Sequence, residues 1–185
     1  MYKRMTPILL AFMAILLVVA CHDKKKNDNQ QTLAGMEESK GDTTVYGVCG
    51  DNTAMHTLEL ITAQGDTLNY LFDMEDGVTV KGGLLAGDKL AVVGYKNADG
   101  ENEATQVLNL TTLMGKWRSI DKQFQLMEDG TVLSAVKEET QPWTSWKVYN
   151  GQLLLNKDTF TVNSLGADSL YLENKHGIFT FTRPK

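Results

Sequence analysis

The sequence predicts an all-β protein of two small antiparallel domains, and three observations predict it. From Thr43 onward apolar residues recur with a period of two rather than the helical 3.6. The alternating runs are short, about five residues each, as strands in small β domains are. Gly, Asn and Asp separate the runs, and Asn150-Gly151 between two alternating stretches is the strongest short signal for a hairpin. The chain has 185 residues, 23 of them acidic and 18 basic. That balance disfavours nucleic acid, whose binding draws on many basic contacts to phosphate.

The first string of strands fills residues 43–112. Thr44 to Cys49 opens it. Leu58, Leu60 and Thr62 share one face, and Leu68, Tyr70 and Phe72 share another, with Gln64-Gly65-Asp66 as the turn between them. Lys89 to Tyr95 and Ala104 to Leu110 follow, joined by a loop around Asn97-Ala98-Asp99-Gly100. About five strands are enough for a small barrel or partly open sandwich. The run Gly83-Leu84-Leu85-Ala86-Gly87-Asp88 leading into Lys89 to Gly94 is similar to the approach to the fourth strand of OB-fold barrels.

The second string fills residues 113–185. It begins at Leu113-Met114-Gly115-Lys116-Trp117-Arg118-Ser119 and continues through Lys122 to Met127, Thr131 to Val136, Ser145 to Tyr149, Gln152 to Leu155, Thr159 to Asn163, Ser169 to Glu173 and Ile178 to Thr182. Connections this short permit only antiparallel neighbours, so an eight-stranded up-and-down barrel is expected. Alternation turns Trp117, Phe124, Leu126, Trp146, Phe160, Phe179 and Phe181 inward, among others. Bulky groups on such short strands are expected to close the lumen. Trp143, beside Pro142 in the loop before the fourth strand, and Trp146 are the candidate ligand-contacting aromatics; Trp143 either lines the mouth or folds down as a lid.

The Gly-x-Trp at Gly115 to Trp117, opening a run of hairpins with Phe124-Gln125-Leu126 leading into Asp129-Gly130-Thr131, resembles the lipocalin-like domains of bacterial envelope lipoproteins. The resemblance covers residues 113–185, about half the length of ligand-carrying lipocalins. It implies that Trp117 packs at the closed end of the barrel beneath an arginine of the last strand, for which Arg183 is the matching residue. Gly115, Trp117 and Arg183 are thus expected to be structural, with the guanidinium over the indole contributing about 0.5 to 2 kcal/mol.

The amino terminus is expected to be an address. Lys3 and Arg4 precede a continuous apolar run from Ile8 to Val19, and Val18-Val19-Ala20-Cys21 places a small residue before a cysteine. A helix of about twelve apolar residues spans about 18 Å, well short of the roughly 30 Å hydrocarbon core. This suits a secretion signal over residues 1–20 better than a permanent span. The tetrapeptide resembles the bacterial lipobox, which implies cleavage before Cys21, a diacylglycerol thioether on its sulfur and usually a further acyl chain such as palmitate on its amine. Removing Lys3 and Arg4 takes the formal net charge from −5 to about −7. Residues 21–42, with Lys24-Lys25-Lys26 and few apolar side chains, are expected to be a solvated tether with a root-mean-square span of about 25 Å.

Chemistry-bearing groups are sparse. His22, His56 and His176 are scattered, and no serine or cysteine stands in a nucleophile motif. Cys49 is expected to be a small buried side chain on an apolar strand, and Asp73-Met74-Glu75-Asp76-Gly77 an acidic turn without the alternating ligands of a calcium loop. No catalytic residue, metal site or cofactor is assigned. The expectation is therefore a non-enzymatic, lipid-anchored envelope lipoprotein, in the outer membrane by default because His22 rather than aspartate follows Cys21. Its role would be to meet an envelope protein partner or a small apolar ligand. A lipocalin-type carrier of hydrophobic ligands and an envelope-stress or metal-response sensor are the alternatives. Known sensors of that kind carry the two domains in the opposite order with a Cys-x-x-Cys in the barrel, which this barrel lacks.

Overall fold

Two β-barrels, joined by one turn of helix, make up the computed structural model, which describes residues 41–72, 79–135 and 140–184. The expected signal, Cys21, the expected tether as far as residue 40, the acidic stretch from Asp73 to Gly77, and Val136 lie outside the described residues.

The first barrel is formed by β1 (Val45–Cys49), β2 (Thr57–Thr62), β3 (Thr67–Leu71), β4 (Thr79–Lys81), β5 (Lys89–Lys96) and β6 (Asn102–Asn109). Their order is β3-β2-β1-β5-β6-β4. Parallel pairing of Tyr70 with Asn102 and Leu71 with Glu103 brings β3 back to β6, so five strands close into an OB-like ring. The short β4 pairs farther along β6. Three residues are too few for period-two alternation to mark, which is why no strand is expected there from sequence. Inside, Leu58, Leu60, Leu90, Val92 and Val107 are fully buried, with Cys49 among them.

The chain passes through α1 (Leu110–Leu113) into β7 (Gly115–Arg118), β8 (Gln123–Leu126), β9 (Val132–Ser134), β10 (Trp146–Tyr149), β11 (Gln152–Leu155), β12 (Asp158–Leu165), β13 (Ser169–Asn174) and β14 (Gly177–Thr182). The helix corrects the expected strand end at Leu110. Asn109 caps it, its side chain accepting from Thr112 N at 2.9 Å, and the boundary drawn after Thr112 falls within it. Each strand of this barrel pairs with its sequence neighbour except β9 with β10, and β14 returns to β7 through Thr182 and Arg118. The ring is nearly closed. At the remaining seam a single bridge joins Thr131 to Ser145, flanked by Val132 N to Thr144 O at 2.9 Å and Trp146 N to Gly130 O at 2.7 Å.

The barrels share a face. Along β5, Leu90 and Val92 point into the first core, while Ala91 between them joins the second; Val107 and Leu108 on β6 divide the same way. Tyr46, Ala91 and Leu108 lie in register across β1, β5 and β6. This row packs with Leu110 and Leu113 against the second barrel. Polar ties surround it: Gln106 Nε2 donates to Gly151 O at 2.7 Å, Lys81 bonds the Asn163 carbonyl, and Lys89 pairs with Glu128.

Candidate functional site

At the joint between the barrels the resembled motif has a visible physical basis. Gly115 has φ of +107°, a left-handed-side conformation that L side chains rarely adopt. A Cβ there would lie 2.6 Å from Arg183 Nη1. The missing side chain thus makes room for the guanidinium, whose Cζ sits 3.7 Å from the centre of the Trp117 ring. Arg183 donates through Nε to Ala167 O and through Nη1 to Lys116 O, both at 3.2 Å, and through Nη2 to Thr112 O. Burial pulls its pKa below the usual arginine value, and the Asp168 carboxylate partly offsets this. Trp117 is fully buried and donates from Nε1 to Leu113 O at 2.7 Å, tying α1 to β7. Four backbone carbonyls accept from these two side chains, an arrangement that fastens a barrel end.

The middle of the second barrel is filled by rings. Phe124 on β8 meets Phe181 on β14 edge-to-face at 5.1 Å, and Trp143 inserts among them at 5.1 Å from Phe124, 5.7 Å from Phe160 and 6.3 Å from Phe181. Phe179 extends the cluster to Phe160 at 5.8 Å. Such edge-to-face pairs are a favoured aromatic geometry. Trp143 is 7% exposed, with Lys122 Nζ 4.3 Å over its ring. Of its two expected positions, the structure takes the lid and carries it farther in, so that Trp143 is a plug. Trp146 is buried as well, and its Nε1 donates to Met127 O at 2.7 Å across the seam between β9 and β10.

Outside the plug, an open depression is lined by Pro142, Thr144, Ser145, Asn156, Lys157 and Asp158. Asn156, at φ +56°, gathers its walls. Its Oδ1 accepts from Thr144 N at 2.9 Å and from Thr144 Oγ1 and Ser145 N at 3.1 Å, and its Nδ2 donates to Pro142 O. These polar groups already satisfy one another.

Among the described residues the other reactive side chains do not converge. Cys49 is buried, its thiol donating to Thr53 Oγ1 at 3.3 Å. His56 and His176 are exposed on different barrels. Hydrogen bonds from Asn52 hold Glu59, on β2, below the usual carboxylate range, and bonds from Thr131 do the same for Asp129 in the β8–β9 turn. Among the described residues no group of three His, Cys, Asp or Glu side chains is placed to hold a metal ion.

Sequence reasoning missed three residues that the structure makes central: Tyr46, Asn150 and Asn156. Tyr46 Oη donates to Val148 O at 2.7 Å between the barrels, and burial, with the Asp42 carboxylate adding to it, pushes its phenol pKa well above the ordinary value. Both asparagines sit with positive φ in two-residue turns, and the Asn-Gly pair marked one turn without revealing what its side chain grips. The chain matches no protein-family model, and no curated protein and no solved structure matches it.

Proposed function

We propose that the chain is a lipid-anchored bacterial envelope lipoprotein that performs no catalysis and acts by presenting the exterior of two joined barrels to another envelope protein. The observation that supports this reading best is the aromatic plug. A ligand carrier needs an empty volume of several hundred Å³ along its axis, and here Phe124, Trp143, Phe160 and Phe181 touch across it. An exterior role is what a filled barrel leaves available. The anchor rests on the lipobox resemblance at Val18 to Cys21, and two acyl chains on that cysteine suffice for stable membrane attachment.

The exterior offers apolar contacts for a partner: Ile120 is 100% exposed in the β7–β8 turn and Ile178 64% exposed on β14. Photocrosslinking from positions 120 and 178 of the full chain in its native cells tests the reading directly. One envelope protein captured reproducibly, and lost when Cys21→Ala releases the chain from the membrane, is the expected outcome. Absence of any reproducible partner from either position defeats it. The carrier alternative requires Trp143 to leave its ring contacts, and the metal-sensor alternative is decided by copper and zinc titrations of the full chain.

A further inference from the structure

The chain reaches the first barrel through a contact made on the second. Asp42 Oδ1 accepts from Thr44 N at 3.0 Å and from Asn150 N at 2.9 Å. Asn150 Oδ1 accepts from Thr43 N at 2.8 Å and Thr43 Oγ1 at 2.9 Å, and Asn150 Nδ2 donates to Gly41 O at 3.1 Å. Three consecutive residues are thus gripped by one turn residue more than a hundred positions away. Asn150 has φ of +47° in the tight turn between β10 and β11, as the first position of an Asn-Gly hairpin turn requires.

The grip lies on the unclosed side of the second barrel. Tyr149 pairs with Gln152 next to the turn, so Val148 is the residue whose main-chain groups face away from β11. That is the side on which β9 accompanies β10 only as far as the bridge from Thr131 to Ser145. Tyr46 Oη occupies the Val148 carbonyl there, and Asp42 occupies the Asn150 N–H. Residues 42–46 therefore take the place along β10 that β9 leaves.

We propose that the contact of Gly41, Asp42 and Thr43 with Asn150 is a latch, which receives a pull arriving from the amino-terminal side and keeps it from peeling β1 out of the first barrel. β1 starts at Val45, whose partner on β5 is Val92. A pull delivered at Thr44 would open the β1 ladder pair by pair from that end. With the latch in place, the bonds on Asn150 stand in front of the ladder. Asn150 is itself held by the β10–β11 pairing and by Gln106 on the Gly151 carbonyl. In the cell such a pull would come from the lipid anchor, so the biological use rests on the proposed function, whereas the mechanical property stands without it.

The test stretches the full chain at constant force between handles on its two termini. Asn150→Gly keeps the left-handed turn while removing the gripping side chain, and Thr43→Val removes one of its donors. Unfolding is expected to accelerate by roughly tenfold or more in Asn150→Gly and by a smaller factor in Thr43→Val, because forced unfolding follows the barrier rather than the equilibrium. With the amino-terminal handle moved to Asp99 in the β5–β6 turn, wild type and variants are expected to unfold at equal rates. Equal rates with terminal handles overturn the latch, as does equal acceleration in both pulling geometries, which would reduce the contact to ordinary fold stability. Failure of Cys21 to carry lipid leaves these outcomes untouched and removes only the anchor.

Discussion

The two barrels close their rings by different means. In the first, backbone meets backbone: β3 returns to β6, and β4 lengthens the coverage of β6. In the second, main-chain closure beside β9 and β10 is limited to the bridge from Thr131 to Ser145 and its two flanking hydrogen bonds, and side chains finish it. Trp146 reaches across the seam to Met127, Asn156 holds residues 142–145 in place, and Tyr46 and Asp42 arrive from the first barrel to cover the rest of β10. Main-chain closure is open to any residue able to occupy a strand, whereas closure by side chains places the burden on a few named groups. Leucines and valines predominate in both cores, and the second adds the interlocking rings of Phe124, Trp143, Phe160 and Phe181.

If the second barrel depends on few residues, single substitutions there should have large effects. The greatest is expected for Trp117→Ala, which empties a fully buried indole site and strips Arg183 of its ring; a loss of about 3–5 kcal/mol is expected in urea unfolding. A loss below about 1 kcal/mol would place the end of the barrel under other control. Next comes Trp143→Ala, with a cost in the same class of about 3–5 kcal/mol reduced by the residual exposure of the ring. The variant should also acquire binding of a small apolar dye that wild type does not bind. Dye binding by wild type at equal affinity would contradict the plug.

Gly115→Ala sharpens the comparison from the backbone side. The added methyl meets Arg183 Nη1 at a positive φ, and strain at such a position costs about 1–3 kcal/mol. Arg183→Ala in the same background should lower that cost, a coupling that a double-mutant cycle reads. The smallest effect is expected for Tyr46→Phe, about 1 kcal/mol for one hydrogen bond. It has a pH signature. Burial first, and the Asp42 carboxylate second, raise the Tyr46 phenol above its ordinary value of 10.0. Above about pH 10 the unfolded chain therefore sheds a proton that the folded chain keeps. The stability from this group is complete below that pH and is lost as pH rises beyond it. Wild type should weaken more steeply than Tyr46→Phe between about pH 9 and 11, with Tyr70, also raised by burial, leaving a residual slope in the variant.

The strands of both barrels, β4 excepted, were legible because period-two alternation has only one packing solution on a half-buried sheet. Thus Trp117, Phe124, Leu126, Trp146, Phe160 and Phe181 are buried as alternation assigns them, and Phe179 is partly buried beside them. Arg183 over Trp117 was legible only through a resemblance; its physical reason, the empty side of Gly115, needs coordinates. α1, four residues long, is too short to show a helical period. The joint between the barrels left a trace that alternation alone does not interpret: Leu90-Ala91-Val92-Val93 is continuously apolar, as a strand buried on both faces is. The depth of Trp143 and the grip of Asn150 arise from loop geometry, for which residue order carries no periodic signal.

Intact-mass analysis, under native conditions, of the protein purified from its own membranes bears most directly on the account of a lipid-anchored chain with a filled second barrel. The expected species begins at Cys21, exceeds its polypeptide mass by attached acyl chains, and retains no other small molecule. A chain that begins at Met1, one that weighs only its polypeptide, or one that holds an apolar molecule without a covalent bond would contradict it.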